Sequence, residues 1–377
     1  MPQEQIIKDF LELTRLEVHS RRERVIADAV KAKLTALGFQ VEEDGTGGLI
    51  GGEAGNIIAR LPGDPARPVI LFSAHLDRVE NDGRIRPVVD EARGLITSDG
   101  STILGADDVS GLAAILDGAR RVLADPRPRG EVEVVFSVAE EVGLLGTRHL
   151  DHRRLKAAAA FVLDSGGPLG RIVNQAPTQY TFHITVHGKS AHAGIAPETG
   201  LSAIRVAATA LTRLREGRLS PTATSNFGVI QAGQATNIVC ERCDIKGEAR
   251  SADPEELEEY AAEVRRVFTE TAREFGGSAA IETASAYRGF KVQEDHPVIT
   301  LARKALGRLG LEAEVVGSGG GMDGNHFNQN GLPAIGLAPG YDQVHTSRET
   351  QSISQLIDCG RLVAEIIWLA AEEPYVI

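Results

Sequence analysis

Five short apolar runs constrain the fold of this chain most strongly. They read NIIAR, PVILFSAH, VEVVFSVA, AAAAFVLD and LPAIGLAPG, and segments with helical apolar spacing lie among them. A short run without alternation is typical of a strand buried on both faces, as in a parallel sheet covered by helices. The chain is therefore predicted to be an α/β protein with a mostly parallel sheet.

The pattern changes between residues 178 and 289. The predicted order there is strand, helix, strand, strand, helix, strand, from YTFHITVHG to SAAIETASAY. That order is typical of an open-faced sandwich, in which helices cover one face of an antiparallel sheet. Because the α/β pattern resumes afterwards, we predict one domain in two parts, 1–177 and 290–377, and an inserted α+β domain at 178–289.

Composition excludes several classes of partner. The chain has 377 residues, a formal net charge of -12 and three cysteines. An acidic protein is a poor match for nucleic acid or an anionic membrane, and three cysteines cannot form a disulfide framework. No apolar stretch approaches the ~20 residues of a membrane span, and the N-terminus lacks a signal-peptide pattern. We expect a cytoplasmic protein that binds neither nucleic acid nor membrane.

Acidic residues and histidines follow the predicted core strands. Any one of them has an ordinary explanation, such as a solvated strand end, a helix N-cap or a turn. Nothing structural requires successive core strands to end this way, and the carboxyl edge of an open α/β sheet is where ligands bind. Carboxylates gathered there would repel one another unless cations neutralise them. The residues that follow strands are His75, Asp77, Glu140, Glu141, Asp164 and His345, and Asp107 and Asp108 open a predicted helix after TILGA.

The number of candidate ligands points to more than one metal ion. Five separate segments each deliver a histidine or a carboxylate to this edge. Counted one per segment, two imidazoles and three carboxylates exceed the four ligands of one tetrahedral zinc, but they suit two zinc ions that share a carboxylate and a water. A leftover acid would then be free for proton transfer. The sequence therefore predicts a dinuclear zinc site at this edge of the sheet.

The order of the motifs resembles one family. The stretches SAHLDRV, DGSTILGADDVSG, SVAEEVGLLG, VLDSGGP, VHGKSAHAG and GYDQVHTSRE look like the co-catalytic zinc peptidases that include peptidase T, carboxypeptidase G and aminoacylase. TILGADD and AEEVGLLG are most similar to the peptidase T branch, the tripeptide aminopeptidases. The inserted domain follows Asp164, which also fits peptidase T better than glutamyl aminopeptidase-type enzymes.

This resemblance implies a role for each candidate. It makes Asp107 the carboxylate that bridges two Zn²⁺ ions per subunit, with Co²⁺ or Mn²⁺ as alternatives. Glu140 is implied to be the general base, which takes a proton from a metal-bridged water and gives it to the leaving amine; Asp77 supports the first metal site. The implied metal ligands are His75, Asp107, Glu141, Asp164 and His345.

The resemblance also implies a role for the inserted domain. Members of the family use the inserted domain as a lid and dimerisation domain, so the resemblance implies a homodimer formed through the lids. GKSAHAG resembles the lid motif whose histidine, here His192, reaches the partner's active site and stabilises the oxyanion. Asn237 and Arg250 match the family's lid strand and are expected to hold the substrate backbone or its terminal carboxylate.

The expected function is therefore a zinc aminopeptidase that acts on tripeptides or other short peptides. A related dipeptidase, carboxypeptidase or N-acyl-amino-acid amidohydrolase would share the metal chemistry and differ only in its pocket. A peptide-binding protein without catalysis is a third alternative, which an intact Glu140 and five ligands disfavour.

Overall fold

The computed structural model describes residues 2–80 and 83–372. Its contacts divide the chain into two compact units. The first contains the described residues within Met1–Gln175, Lys291–Ser318 and Met322–Ile377, and the second contains Ala176–Phe290 and Gly319–Gly321. Among the described residues, no helix is both long enough and apolar enough to cross a membrane.

The first unit contains most of the secondary structure. Its helices are α1 (Pro2–Thr14), α2 (Arg24–Ala36), α3 (Thr46–Ile50), α4 (Ala106–Ala124), α5 (Leu145–His149), α8 (Pro297–Arg308), α9 (Gly324–Gln329) and α10 (Ile353–Glu372). Its strands are β1 (Gln40–Glu43), β2 (Ile57–Leu61), β3 (Ile70–His75), β4 (Val88–Asp90), β5 (Leu95–Thr97), β6 (Val132–Ser137), β7 (Ala159–Val162), β8 (Arg171–Ala176), β14 (Phe290–Lys291), β15 (Glu314–Gly317), β16 (Ala334–Leu337), β17 (Tyr341–Asp342) and β18 (Thr350–Ser352).

The main sheet of the first unit is mixed. Within the described chain its order is β1-β2-β6-β3-β7-β16-β8-β14, and β15 pairs with β8. Strands β6, β3, β7 and β16 are parallel to one another, whereas β1 pairs with β2, β2 with β6 and β8 with β16 in antiparallel fashion. Every residue of these four central strands is buried, which explains their mostly apolar sequence. The predicted α/β class is confirmed, with antiparallel strands added at the flanks.

A second, smaller sheet lies in the same unit and was not predicted. Its order is β17-β18-β5-β4. Each of its strands is two or three residues long. Such short strands cannot display the apolar run or alternation on which strand prediction depends.

The second unit has the predicted open-faced architecture. Its elements are β9 (Thr178–His187), α6 (Ala203–Thr212), β10 (Gly217–Arg218), β11 (Ala223–Ala232), β12 (Arg242–Ser251), α7 (Pro254–Glu274) and β13 (Ser278–Tyr287). The sheet order is β10-β11-β12-β9-β13, and its pairs are antiparallel. Val206 of α6 and Phe268 of α7 are fully buried against Phe182 and Ile245 of the sheet. The amphipathic helices therefore cover one face of this sheet, as the alternating strands required.

Candidate metal centre

The parallel strands of the first unit bring the candidate residues to one edge. His75 is the last residue of β3, and it lies opposite Ser137, the last residue of β6, in the parallel register. Glu140 and Glu141 follow β6 in the turn after Ser137, and Asp164 follows β7. Because parallel strands end at the same side of a sheet, these groups converge although they are far apart in sequence.

Asp107 lies between two histidines. Its Oδ1 is 3.0 Å from Nε2 of His75, and its Oδ2 is 3.3 Å from Nε2 of His345. Asp107 stands near the start of α4, but its backbone is not helical (φ -80°, ψ 105°). This conformation places one carboxylate oxygen towards each imidazole, as a bridging ligand requires.

Each histidine also approaches a second carboxylate. His75 Nε2 is 3.8 Å from Oδ1 of Asp164, and His345 Nε2 is 3.0 Å from Oε1 of Glu141. Potential ligand atoms of His75, Asp107 and Glu141 lie within 4.8 Å of one another. A second such group among the described residues consists of His75, Glu140 and Asp164. Nitrogen and carboxylate oxygen donors are ligands that zinc accepts.

The tautomer of His75 suits a metal ligand. Its Nδ1 is 3.0 Å from the backbone carbonyl oxygen of Asp77, and a carbonyl oxygen can only accept a hydrogen bond. Nδ1 therefore carries a proton, and Nε2 is the ring nitrogen that faces Asp107 and Asp164. A hydrogen bond of this kind to the other ring nitrogen commonly orients a metal-binding histidine.

The electrostatics show an excess of negative charge. Burial, and then the charge of Asp107, raises the pKa of Asp164 well above its ordinary value. Burial and the charge of Asp164 likewise raise the pKa of Glu140. Hydrogen bonds to Asp107 and Glu141 raise the pKa of His345 to about 10. Asp164 and Glu140 therefore hold protons more tightly than they would in water, a cation would relieve the repulsion among the carboxylates, and the residues fit a metal centre.

Asp77 links the first imidazole to the Glu140–Glu141 turn. It is fully buried, and its carboxylate accepts the N–H of Glu140 at 2.9 Å and that of Glu141 at 3.2 Å. Ser20 donates its hydroxyl to the same carboxylate at 2.6 Å. Asp77 therefore holds His75 through its backbone carbonyl and the Glu140–Glu141 turn through its carboxylate.

Known proteins resemble this chain in sequence and in fold. Residues 179–276 match the peptidase dimerisation domain family, and residues 56–204 match peptidase family M28. The crystal structure of the aminopeptidase PepT from Bacillus cereus ATCC 10987 is 38% identical, with a TM-score of 0.87, over 98% of this chain and 99% of that one. The chain belongs to the peptidase T-like branch of the M20 peptidases.

Two further proteins are similar to nearly the whole chain. A tripeptidase structure from Staphylococcus aureus subsp. aureus Mu50 is 35% identical, with a TM-score of 0.92, and covers 98% of this chain and 99% of its own. An uncharacterised Bacillus subtilis (strain 168) protein, YqjE, is 37% identical over 98% of this chain and 99% of its own length. This peptidase T-like chain is a metallopeptidase.

Within the described residues of the peptidase, three carboxylates that the sequence analysis did not identify hold segments around the site. Glu349 accepts backbone N–H groups from the loop that carries Asp107, and Glu23 accepts that of Ala139. Asp323, 1% exposed, accepts the hydroxyl groups of Ser137 at 2.5 Å and Thr147 at 2.6 Å. Most of these partners are backbone amides, which leave no mark in a sequence. Only the position of Glu349 in the motif GYDQVHTSRE could have drawn attention to it.

The backbone of the peptidase is strained beside the ligands. Ala139, directly before Glu140, has φ 51°, and His345 has φ 61°. A left-handed conformation costs a residue other than glycine roughly 1–2 kcal/mol, so it persists only where surrounding contacts hold it. These two positions therefore depend on the hydrogen bonds around them.

The predicted substrate-binding residues of the peptidase all lie in the second unit. His192 is exposed and forms an isolated bridge with Ile238, and its Nδ1 accepts the N–H of Gly194 at 3.2 Å. The neighbouring carbonyl oxygen of Asn237 accepts the N–H of Ala193 at 2.9 Å. The structure thus brings the His192 and Asn237 segments together.

Arg250 lies on another element of the second unit. It lies in the middle of the sheet on β12, where its Nε is 3.0 Å from Oε1 of Glu248. Its predicted contact with a substrate stays a prediction.

Proposed function

We propose that this chain is a dinuclear zinc aminopeptidase that releases the N-terminal residue of tripeptides and other short peptides. The observation that carries the proposal is the position of Asp107, whose two oxygens face two different histidines. The names of the two similar solved structures, an aminopeptidase PepT and a tripeptidase, support the choice of substrate.

The proposed ligands form two sets. His75 and Asp164 would hold one ion, Glu141 and His345 would hold the other, and Asp107 would contact both. Zinc ions supply two effects when they are bound: they lower the pKa of water towards ~7 and they polarise a carbonyl group.

Glu140 is the proposed general base. It is buried beside Asp164 but is not needed to complete either set, so its carboxylate is free to take a proton from the attacking water. The same carboxyl group then gives the proton to the amine of the leaving peptide. Asp77 holds the backbone N–H of Glu140 and thereby orients the base during both transfers.

Three further expectations belong to this proposal. The match of residues 179–276 to a dimerisation domain supports a homodimer formed through the second unit. In that dimer His192 would stabilise the oxyanion at the partner's site, while Asn237 and Arg250 would hold the substrate. We also expect the protein to be cytoplasmic.

A substrate panel tests the proposal. The zinc-loaded protein should hydrolyse Ala-Ala-Ala faster than Ala-Ala or N-acetylalanine, and the first product should be free alanine together with Ala-Ala. Preference for Ala-Ala or N-acetylalanine would instead indicate a dipeptidase or an amidohydrolase. Release of the C-terminal residue from an unsymmetrical tripeptide would indicate a carboxypeptidase, and tight binding without turnover a binding protein.

The base is tested by Glu140→Gln. This variant should bind zinc and lose about 100- to 10,000-fold in kcat, because general acid–base catalysis contributes about that factor. Glu91→Gln, at an exposed position of the same unit, is the matched control and should keep full activity. Near-normal turnover of Glu140→Gln would show that another group is the base.

A further inference from the structure

The short segment between α1 and α2 reaches the turn that carries Glu140 and Glu141. Ser20 donates its hydroxyl to Oδ2 of Asp77 at 2.6 Å. Three residues later, Oε1 of Glu23 accepts the N–H of Ala139 at 3.0 Å. One stretch of four residues therefore contacts the base-bearing turn directly and also contacts the carboxylate that supports it.

Three successive amides of that turn are held by carboxylates. The N–H of Ala139 donates to Glu23, that of Glu140 to Oδ1 of Asp77, and that of Glu141 to Oδ2 of Asp77. Hydrogen bonds to a charged acceptor, such as the Asp77 carboxylate, are about twice as strong as neutral ones. Together they hold Ala139 at φ 51°, a conformation that alanine rarely adopts. The direction of the side chain of Glu140 relative to that of Glu141 follows from this turn.

Burial of the Glu23 carboxylate is unfavourable, and its hydrogen bonds must offset the lost hydration. It is 0% exposed, and Oε1 also accepts the N–H of Arg21 at 2.6 Å. Oε2 is buried and makes no hydrogen bond within the described part of the chain. A buried carboxylate with one unpaired oxygen is unfavourable, so packing alone does not account for a glutamate here. What the position supplies is an acceptor for two backbone N–H groups.

We propose that Ser20 and Glu23 are positioning residues for the reaction. Glu23 fixes the start of the 139–141 turn, and Ser20 fixes the Asp77 carboxylate that holds the rest of it. Through these contacts Glu141 is directed to its metal and Glu140 to the attacking water. This inference rests on the proposed roles of Glu140 and Glu141.

Steady-state kinetics on purified, zinc-loaded variants tests the inference. Glu23→Ala should lower kcat about 10- to 100-fold with little change in KM, because a displaced catalytic group slows the chemical step. Glu23→Gln should recover most of that loss, since its amide oxygen can still accept both N–H groups. Ser20→Ala should lower kcat in the same direction by a smaller factor. Glu17→Ala is the control, because Glu17 is exposed on the same segment and pairs only loosely with Arg84, at 3.9 Å.

A merely structural role would give a different result. If Glu23→Ala lowered the melting temperature but the folded, metal-loaded fraction kept the wild-type kcat, the inference would be overturned. Should Glu23→Ala fail to fold, Ser20→Ala decides the question, since it removes one hydroxyl group. A reduced kcat at constant KM supports positioning, and a wild-type kcat refutes it.

Cobalt substitution separates this inference from the proposed function. The visible absorption of bound Co²⁺ reports ligand geometry without any turnover. If the wild-type protein hydrolysed no peptide, the proposed function would fail. A spectrum altered in Glu23→Ala and restored in Glu23→Gln would still show that the segment positions Glu141. If Glu23→Ala and Glu23→Gln both had the wild-type spectrum and the wild-type Co²⁺ affinity, the positioning of Glu141 by this segment would be contradicted.

Discussion

Glu349 offers the sharpest test of how the metal centre is built. It is 1% exposed, and its Oε2 accepts the N–H groups of Leu104 at 2.9 Å and Gly105 at 2.7 Å. Its Oε1 accepts the N–H of Asp107 at 3.1 Å. One carboxylate thus holds the loop that delivers the proposed bridging ligand. We expect Glu349→Gln to loosen this loop selectively.

The size of the effect follows from the hydrogen bonds. Glutamine can place its amide oxygen on Leu104 and Gly105, but its NH₂ group then faces the N–H of Asp107, and that bond is lost. An unsatisfied buried donor costs about 1–3 kcal/mol, so the free energy of unfolding should fall by about that amount. Glu349→Ala removes all three acceptor contacts and should cost about 3–9 kcal/mol, which approaches the whole stability of a typical protein.

Urea denaturation and zinc titration measure these effects. Glu349→Gln should unfold at lower urea, bind zinc more weakly and lose up to about 100-fold in kcat, because Asp107 is no longer fixed. Glu91→Gln, on the exposed turn between β4 and β5, should behave like the wild type. Equal stability and equal zinc affinity in Glu349→Gln and the wild type would refute the reasoning.

Two other perturbations give distinct results. The pKa values of Asp164 and Glu140 are raised in the folded, metal-free protein, so its free energy of unfolding falls as pH rises above about 4. The pKa values of His75 and His345 are also raised, and they lower the free energy of unfolding further as pH rises. Zinc replaces those protons; the rise in melting temperature on adding zinc after chelation should therefore be larger at about pH 7.5 than at about pH 5.5, and a smaller rise would contradict this. Gly111→Ala would place a Cβ 2.6 Å from the Asp108 carboxylate and should cost about 1–3 kcal/mol by urea denaturation. Gly307→Ala, in α8 with nothing within 4 Å of its Cβ, should instead raise the free energy of unfolding by up to ~1 kcal/mol. Equal changes in the free energy of unfolding in Gly111→Ala and Gly307→Ala would show that the contact with the Asp108 carboxylate does not destabilise the protein.

The central strands were predictable because each carries its evidence within a few residues. Strands β3 and β7, which lie within PVILFSAH and AAAAFVLD, are buried throughout, and full burial favours a mostly apolar sequence. The small sheet that contains β5 was not predictable, since its strands are too short to show a period. The antiparallel pairing of β2 with β6 was also invisible, because strand direction is set by connections across the sheet.

The sequence by itself determined which side chains could do chemistry. A histidine or a carboxylate directly after an apolar run, as at His75 or Asp164, stands out because a core strand has no structural need for it. Tertiary structure alone decided which groups hold those side chains in place. Glu349 and Glu23 act on backbone N–H groups that lie more than a hundred residues away. Every residue type except proline carries that N–H, so no pattern of side chains records the contact.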